Sequence, residues 1–286
     1  MAENPRFSEN EDLQELLTVY ERMRSGKGTG FLSEESFERI IDHFDDQDAI
    51  PKAMEAAEMG ILQFPYSSSL LVKKADLLIA SRQYKKALSL LEKAEILDKN
   101  DIDIYILRTD AYLALDMQEK AVALLEDAIQ QFEGDDRIDL LFELADVYDD
   151  YEAFEKIFDC LKLILEYDPN NEEALYKVCF WTDFTGRNEE SIKLHLKIIE
   201  EYPYNDLAWF NLAAAYQGLK LFEKAIDAYQ YAIAINEKFD YAYRNMADAQ
   251  MRLHRYKEAI ESLGQLWDED QYDDFVVDDF LKGLKK

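Results

Sequence analysis

Proline and glycine are scarce in this 286-residue chain, at 5 and 9 residues. That scarcity excludes long disordered or collagen-like stretches. The two cysteines, Cys160 and Cys179, are too few for a disulfide scaffold and lack the close spacing of metal ligands. They read as buried, reduced thiols in a reducing compartment. No run of about 18 apolar residues occurs, so no membrane-spanning helix is expected. The opening MAENPRFSENEDLQ is polar and acidic with no apolar core, so no signal peptide is expected either. Cations are also short: 32 Lys and Arg face 61 Asp and Glu, for a net charge of −29. A nucleic-acid binder needs cations to displace counterions from phosphates, so free DNA and RNA are excluded as ligands. Anionic membrane surfaces are disfavoured for the same reason. The expected location is the cytoplasm.

What the chain has is 48% hydrophobic residues and a composition rich in Ala, Leu, Glu, Lys and Ile, which favours helix. It also has a period. Leu141, Leu175, Trp209 and Tyr243 are spaced by 34 residues, as are Phe37, Leu71 and Tyr105. The step from Tyr105 to Leu141 is 36, which places two inserted residues near Asp136 and Arg137. Ala53, Ala87 and Ala121 form a second column, continued by Ile157, Ser191, Ala225 and Ala259. Gly60, Ala94, Ala128, Ile164, Ile198 and Ala232 form a third, and Pro65, Pro169 and Pro203 a fourth. A fixed period of this length is the signature of a repeat architecture.

The clearest unit is DLAWFNLAAAYQGLKLFEKAIDAYQYAIAINEKF, residues 206–239. Trp209, Leu212, Ala213 and Tyr216 share one face of a first helix. Phe222, Ala225, Ile226, Tyr229, Ala232 and Ile233 share a face of a second. QGLKL between them is a short turn, so each unit is a helical hairpin. Small residues such as Ala213 and Ala225 let the helices approach, and large ones such as Trp209 and Tyr229 fill the space beside them. The order Trp209, Leu212, Tyr216, Ala225, Tyr229, Ala232 resembles the tetratricopeptide repeat, with Ala213 where that signature has Gly. The resemblance covers residues 34–273 as seven units: 34–67, 68–101, 102–135, 138–171, 172–205, 206–239 and 240–273. It departs from the pattern at Lys74 and Arg108, in an otherwise apolar column, and at Thr182 and Gln250, where an aromatic is usual. The resemblance implies an all-α fold, a right-handed α-solenoid (superhelix) of stacked antiparallel helix pairs whose first helices line the concave surface.

Residues 1–33 read as an N-terminal amphipathic helix and a glycine-rich hinge. Ser8 and Glu11 form a capping box opening that helix, with Leu13, Leu16, Leu17, Tyr20 and Met23 as its apolar stripe. Residues 274–286 read as a C-terminal capping helix, with Val277, Phe280, Leu281 and Leu284 as its stripe. Pro51 falls where the first unit's second helix should begin. SGKGTG at residues 25–30 has the wrong spacing and flanks for a phosphate loop. His43, His195 and His254 lack zinc-ligand spacing, and His195 reads as a core-edge residue. The acid clusters at Asp45, Asp46 and Asp48 and at Asp149, Asp150 and Glu152 match no calcium loop. No catalytic constellation, cofactor site or metal site is expected, and the chain does not read as an enzyme.

The informative pattern lies on the first helices. Asp42, Asp76, Asp110, Asp146 and Asp248 share one column, which the resemblance turns towards the concave groove. Phe142, Tyr176 and Phe210 lie one turn before that column, Asp149 lies after it, and Phe180 replaces the Asp in the fifth unit. The expected groove is an acidic ladder beside an aromatic strip, fit for a protein or peptide with basic and apolar residues. The competing readings are that Asp76 and Asp110 pair with Lys73, Lys74 and Arg108, or that the aromatics pack between units. Family members that hold a chaperone's terminal carboxylate use a Lys, Arg and Asn clamp. Here Lys177, Asn211, Arg244 and Asn245 offer those residues only in late units, which disfavours that ligand. Two further readings stand beside the scaffold: a chaperone-like client holder, and a self-associating module (a homo-oligomer) whose basic FLKGLKK tail enters the groove.

Overall fold

Each turn between paired helices is built the same way, and that turn sets the architecture. The computed structural model describes residues 5–26 and 31–266. Among them are fifteen helices and no strand. The chain divides into two compact units between Val147 and Tyr148. The first contains α1 (Pro5–Arg24), α2 (Glu34–Asp45), α3 (Ile50–Gln63), α4 (Ser68–Ala80), α5 (Tyr84–Leu97), α6 (Ile102–Leu113) and α7 (Gln118–Ile129). The division falls within α8 (Gly134–Asp150). The second contains α9 (Phe154–Tyr167), α10 (Glu172–Thr185), α11 (Asn188–Glu201), α12 (Asp206–Gly218), α13 (Phe222–Ile235), α14 (Asp240–Arg252) and α15 (Tyr256–Gly264).

Five of the first helices are opened by side chains, whereas α14, with Phe239 at its N-cap position, has no side-chain cap. Ser33, Ser67, Asp101, Asn171 and Asn205 accept from the backbone N–H groups of Ser36, Leu70, Asp103, Ala174 and Ala208. Each such cap contributes about 1 kcal/mol. Second helices have no side-chain cap and begin instead from the turn. Asp48, Arg82, Asp116, Glu152, Gly186, Lys220 and His254 all have φ between 55° and 72°. The residue after each sends its N–H back to a carbonyl of the first helix, for example Gln83 to Leu78 at 2.7 Å and Leu221 to Tyr216 at 2.9 Å. This left-handed closure consumes carbonyls that the helix end would leave unpaired. Only Gly186 adopts it without steric penalty.

Packing follows the columns. Ala53, Ala87, Ala121, Ala225 and Ala259 are fully buried, as are Gly60's neighbours Phe37 and Leu70. A Cβ on Gly60 would lie 3.1 Å from both of those side chains, so α3 approaches α2 and α4 closely there. The apolar side chains around it contribute about 1.5–3 kcal/mol each. The departures from pattern are matched locally. Lys74 pairs with Glu58 at 3.1 Å and Arg108 with Glu95 at 2.6 Å, both carboxylates on the preceding second helix. Buried Thr182 donates to the Val178 carbonyl at 2.7 Å, and Gln250 accepts from Ser262 at 2.9 Å.

Three expectations need correction or bounding. The N-terminal helix starts at Pro5, ahead of the expected capping box, so Ser8 lies inside it; proline's fixed φ suits the first helical position. This helix docks on the first unit: Tyr20 is buried with its ring 5.9 Å from Phe44, and Leu16, Leu17 and Met23 pack on the same core. His195 is fully buried rather than at the core edge. Burial pushes its pKa down to about 4, while Nδ1 sits 2.8 Å from the Ser191 carbonyl oxygen. Residues 27–30 of the hinge and the proposed C-terminal cap and tail lie outside the described residues.

Candidate functional site

First helices of successive pairs touch one another, α2 with α4 and α4 with α6 in the first unit, α10 with α12 and α12 with α14 in the second. Second helices pack chiefly against first helices. Within each unit the closer spacing marks the inner side of the stack, which the first helices therefore line.

In the first unit this side carries carboxylates. Asp42, Asp76 and Asp110, one from each of α2, α4 and α6, are all exposed. Lys73 forms a salt bridge with Asp42. Among the described residues neither Asp76 nor Asp110 has a salt bridge, because Lys74 and Arg108 turn to Glu58 and Glu95. Burial holds the Asp76 carboxyl above its ordinary range, and the charges of Asp45 and Asp110 add to the effect. Burial does the same to Asp110. A carboxyl that water can reach yet that protein surrounds sits in a concavity. Phe142 is half-buried and Asp146 exposed on α8. Beside this ladder Val72 is buried and Ile79, Ile106 and Leu113 are half-buried.

In the second unit the same side is aromatic. Tyr176 and Phe180 are 65% and 61% exposed. Phe180 lies edge-on to Trp181 at 5.0 Å and stacks with Phe184 at 5.9 Å, and Phe184 meets Phe154 at 4.8 Å. Exposed rings in such a group form an apolar surface that water covers at a cost. Beside them α10, α12 and α14 enclose a cavity of about 540 Å3 lined by Phe180, Phe184, Phe222, Asp183, Gln217 and Asp248, among others. The Tyr229 hydroxyl donates to Gln217 Oε1 at 3.0 Å, and Gln217 Nε2 donates to Asp248 Oδ2 at 2.9 Å. Burial raises the Tyr229 hydroxyl well above its usual pKa, so it stays a donor. Arg252 approaches Asp248 at 3.6 Å. Burial also moves the Cys179 thiol on this wall up to about 11. Phe210 behaves differently, packing on Tyr229 at 5.6 Å and Phe239 at 4.8 Å. Asp149, at the end of α8, is exposed. Of the terminal-carboxylate clamp residues, Asn211 is buried and donates to the Leu175 carbonyl at 2.7 Å, and Lys177 pairs with Glu173.

The sequence pattern missed Phe184, Trp181 and Phe154. Phe184 stands four residues after Phe180, one helical turn on the same face, and that spacing could have revealed it. No group of three or more His, Cys, Asp or Glu able to hold a metal ion occurs among the described residues. No described helix is long and apolar enough to cross a membrane.

Residues 207–239 match the model of the tetratricopeptide repeat family. That hairpin, α12 with α13, is a tetratricopeptide repeat. The other described hairpins carry the tetratricopeptide period, turn and packing columns. No curated protein matches the chain. Among solved structures, the chain is similar to YrrB, described as a tetratricopeptide repeat protein with an unusual peptide-binding site. That match has 22% identity and a TM-score of 0.42 over 71% of this chain and 99% of that one. It is also similar to MamA (19%, TM-score 0.41, 55% of this chain and 91% of that one). A third similar structure is a tetratricopeptide repeat protein from Parabacteroides merdae (16%, TM-score 0.44, 87% and 97%).

Proposed function

We propose that the chain is a non-enzymatic scaffold that binds a segment of a partner protein along the inner faces of its first helices. The observation that carries this reading is the exposed Phe180 and Phe184 pair at the rim of the second unit's cavity. The partner segment has apolar or aromatic side chains for that unit and basic ones for the unneutralised Asp76 and Asp110. Aromatic anchors supply the energy of such contacts, while carboxylates orient the partner and speed encounter. The groove residues are Asp42, Asp76, Asp110, Phe142 and Asp146 in the first unit, and Asp149, Tyr176, Phe180, Phe210 and Asp248 in the second. The work is done by surface complementarity, without covalent chemistry.

The test is affinity capture from source lysate at low and high salt, with wild type and Phe142→Ala/Phe180→Ala run in parallel. A protein captured by wild type and lost by the double variant, with unchanged helicity by circular dichroism, is the expected result. Equal capture by the variant contradicts the groove assignment. Loss of the partner at high salt assigns the larger share of binding to the carboxylates.

A further inference from the structure

We propose that the cavity among α10, α12 and α14 receives an arginine side chain of the partner segment, its guanidinium at Asp183 and its stem against Phe180 and Phe184. The proposal rests on the scaffold reading for the existence of a partner segment and names the chemistry of one anchor.

The two rings stack with an interplanar angle of 23° and are both more than half exposed. They line a cavity whose volume, about 540 Å3, falls within the range of small-ligand sites, roughly 300–1,000 Å3. Asp183 lies between them on α10, is exposed, and forms no salt bridge among the described residues. Its charge reaches the Cys179 thiol on the same wall. Several of the cavity's other polar groups are already engaged: Asp248 accepts from Gln217 and draws Arg252, and Asn211 donates to a carbonyl of α10. Lys220 also lines the cavity but stands exposed at the left-handed turn after α12. Asp183 is thus a carboxylate without a salt bridge among the described residues, beside two rings that are more than half exposed. A guanidinium is planar, weakly hydrated and donates in a fork, so it satisfies a carboxylate while stacking on rings. A lysine ammonium is a compact, strongly hydrated charge and uses the rings less well. The net charge of −29 favours the approach of a cationic segment over a neutral one.

The experiment is an NMR titration of the full chain with acetyl-Leu-Arg-Leu-amide. The Trp181 indole signal, assigned with Trp181→Phe, is the reporter because that ring lies 5.0 Å from Phe180. Control peptides carry citrulline, the neutral isostere, or norleucine in place of arginine. The arginine peptide should shift the signal saturably and bind about tenfold more tightly than the citrulline peptide, a difference of about 1.4 kcal/mol. Asp183→Asn, an exposed near-isosteric change, should bring the two peptides to within about twofold. Phe184→Ala should weaken both. Equal binding of the arginine and citrulline peptides to wild type overturns the proposal. So does tighter binding of the norleucine peptide, an arginine preference that survives Asp183→Asn, or an unmoved Trp181 signal at millimolar peptide. A captured partner that needs Phe180 yet ignores replacement of its arginines overturns this pocket and leaves the scaffold reading standing. An arginine-selective shift without any captured partner supports the pocket and counts against the scaffold.

Discussion

The two units share turns, packing columns and inner-face geometry, yet their inner faces differ in chemistry. In the first unit Asp42, Asp76 and Asp110 occupy one column and the neighbouring Val72, Ile79, Ile106 and Leu113 are buried or half-buried. In the second unit that column holds Phe180 and Asp248, and the surface opens into a cavity rimmed by exposed rings. The backbone repeat fixes where a side chain points, and single substitutions within a column then decide the chemistry of the surface. A solenoid can vary its surface this way because each hairpin's stability depends on its own core and its neighbours.

The comparison can be broken first with acid. Protonation should act in opposite directions on the two units. His195 has a folded pKa of about 4 against an unfolded value of 6.5. A depressed histidine contributes stability that is present above 6.5 and lost as pH falls from 6.5 towards 4. The loss for the second unit is about 3 kcal/mol. Asp76 and Asp110 are raised, so their ionised forms cost the first unit stability at neutral pH. That cost is relieved as pH falls through their folded values towards about 3.9. Hydrogen exchange followed peptide by peptide, corrected for the intrinsic pH dependence, should show α11 and α12 loosening before α4 and α6. His195→Asn should flatten the slope in the second unit alone. Equal slopes in both units would break the comparison.

The turns supply a smaller effect. Gly186→Ala forces an L-residue into φ +72° and should cost about 1 kcal/mol in thermal unfolding. Arg82→Gly relieves the same strain at φ 59° in the first unit, with a gain of about 0.5 kcal/mol after the entropy of glycine is subtracted. Effects of the same sign at both positions would show that the shared turn does not govern stability. The smallest effect concerns the Asp42 rung of the ladder. Lys73→Ala removes an exposed salt bridge to Asp42 and should change stability by less than about 0.5 kcal/mol. It should nevertheless raise the association rate of a basic partner at low salt, measurable by stopped flow.

Much of the hairpin repeat was legible because burial recurs with the period. Ala53, Ala87 and Ala225 must be small wherever helices close, and that constraint is written directly in residue size. The Asp column was legible for the same reason, as a fixed register on successive helices. The left-handed turn was not, since Asp48, Arg82, Asp116, Glu152, Lys220 and His254 share no side-chain chemistry and only Gly186 signals positive φ. Phe210 and Tyr176 share one column of the pattern, but Phe239 and Tyr229 cover the first while the second stays open. Which aromatic is covered depends on contacts far apart in sequence, and periodicity carries no information on them. The cavity was hidden for a related reason: it needs the small Ala214 and Ala215 opposite Phe180, a combination across helices.

The most direct measurement is the affinity of the captured partner, by titration calorimetry, for wild type, Phe180→Ala/Phe184→Ala and Asp76→Asn/Asp110→Asn. The account predicts that losing the rings weakens binding by about 2–3 kcal/mol at any salt. Losing the carboxylates should cost less than about 1 kcal/mol, and only at low salt. Unchanged affinity in the aromatic double variant, with its fold intact, would contradict the claim that the second unit's inner face is where this protein binds.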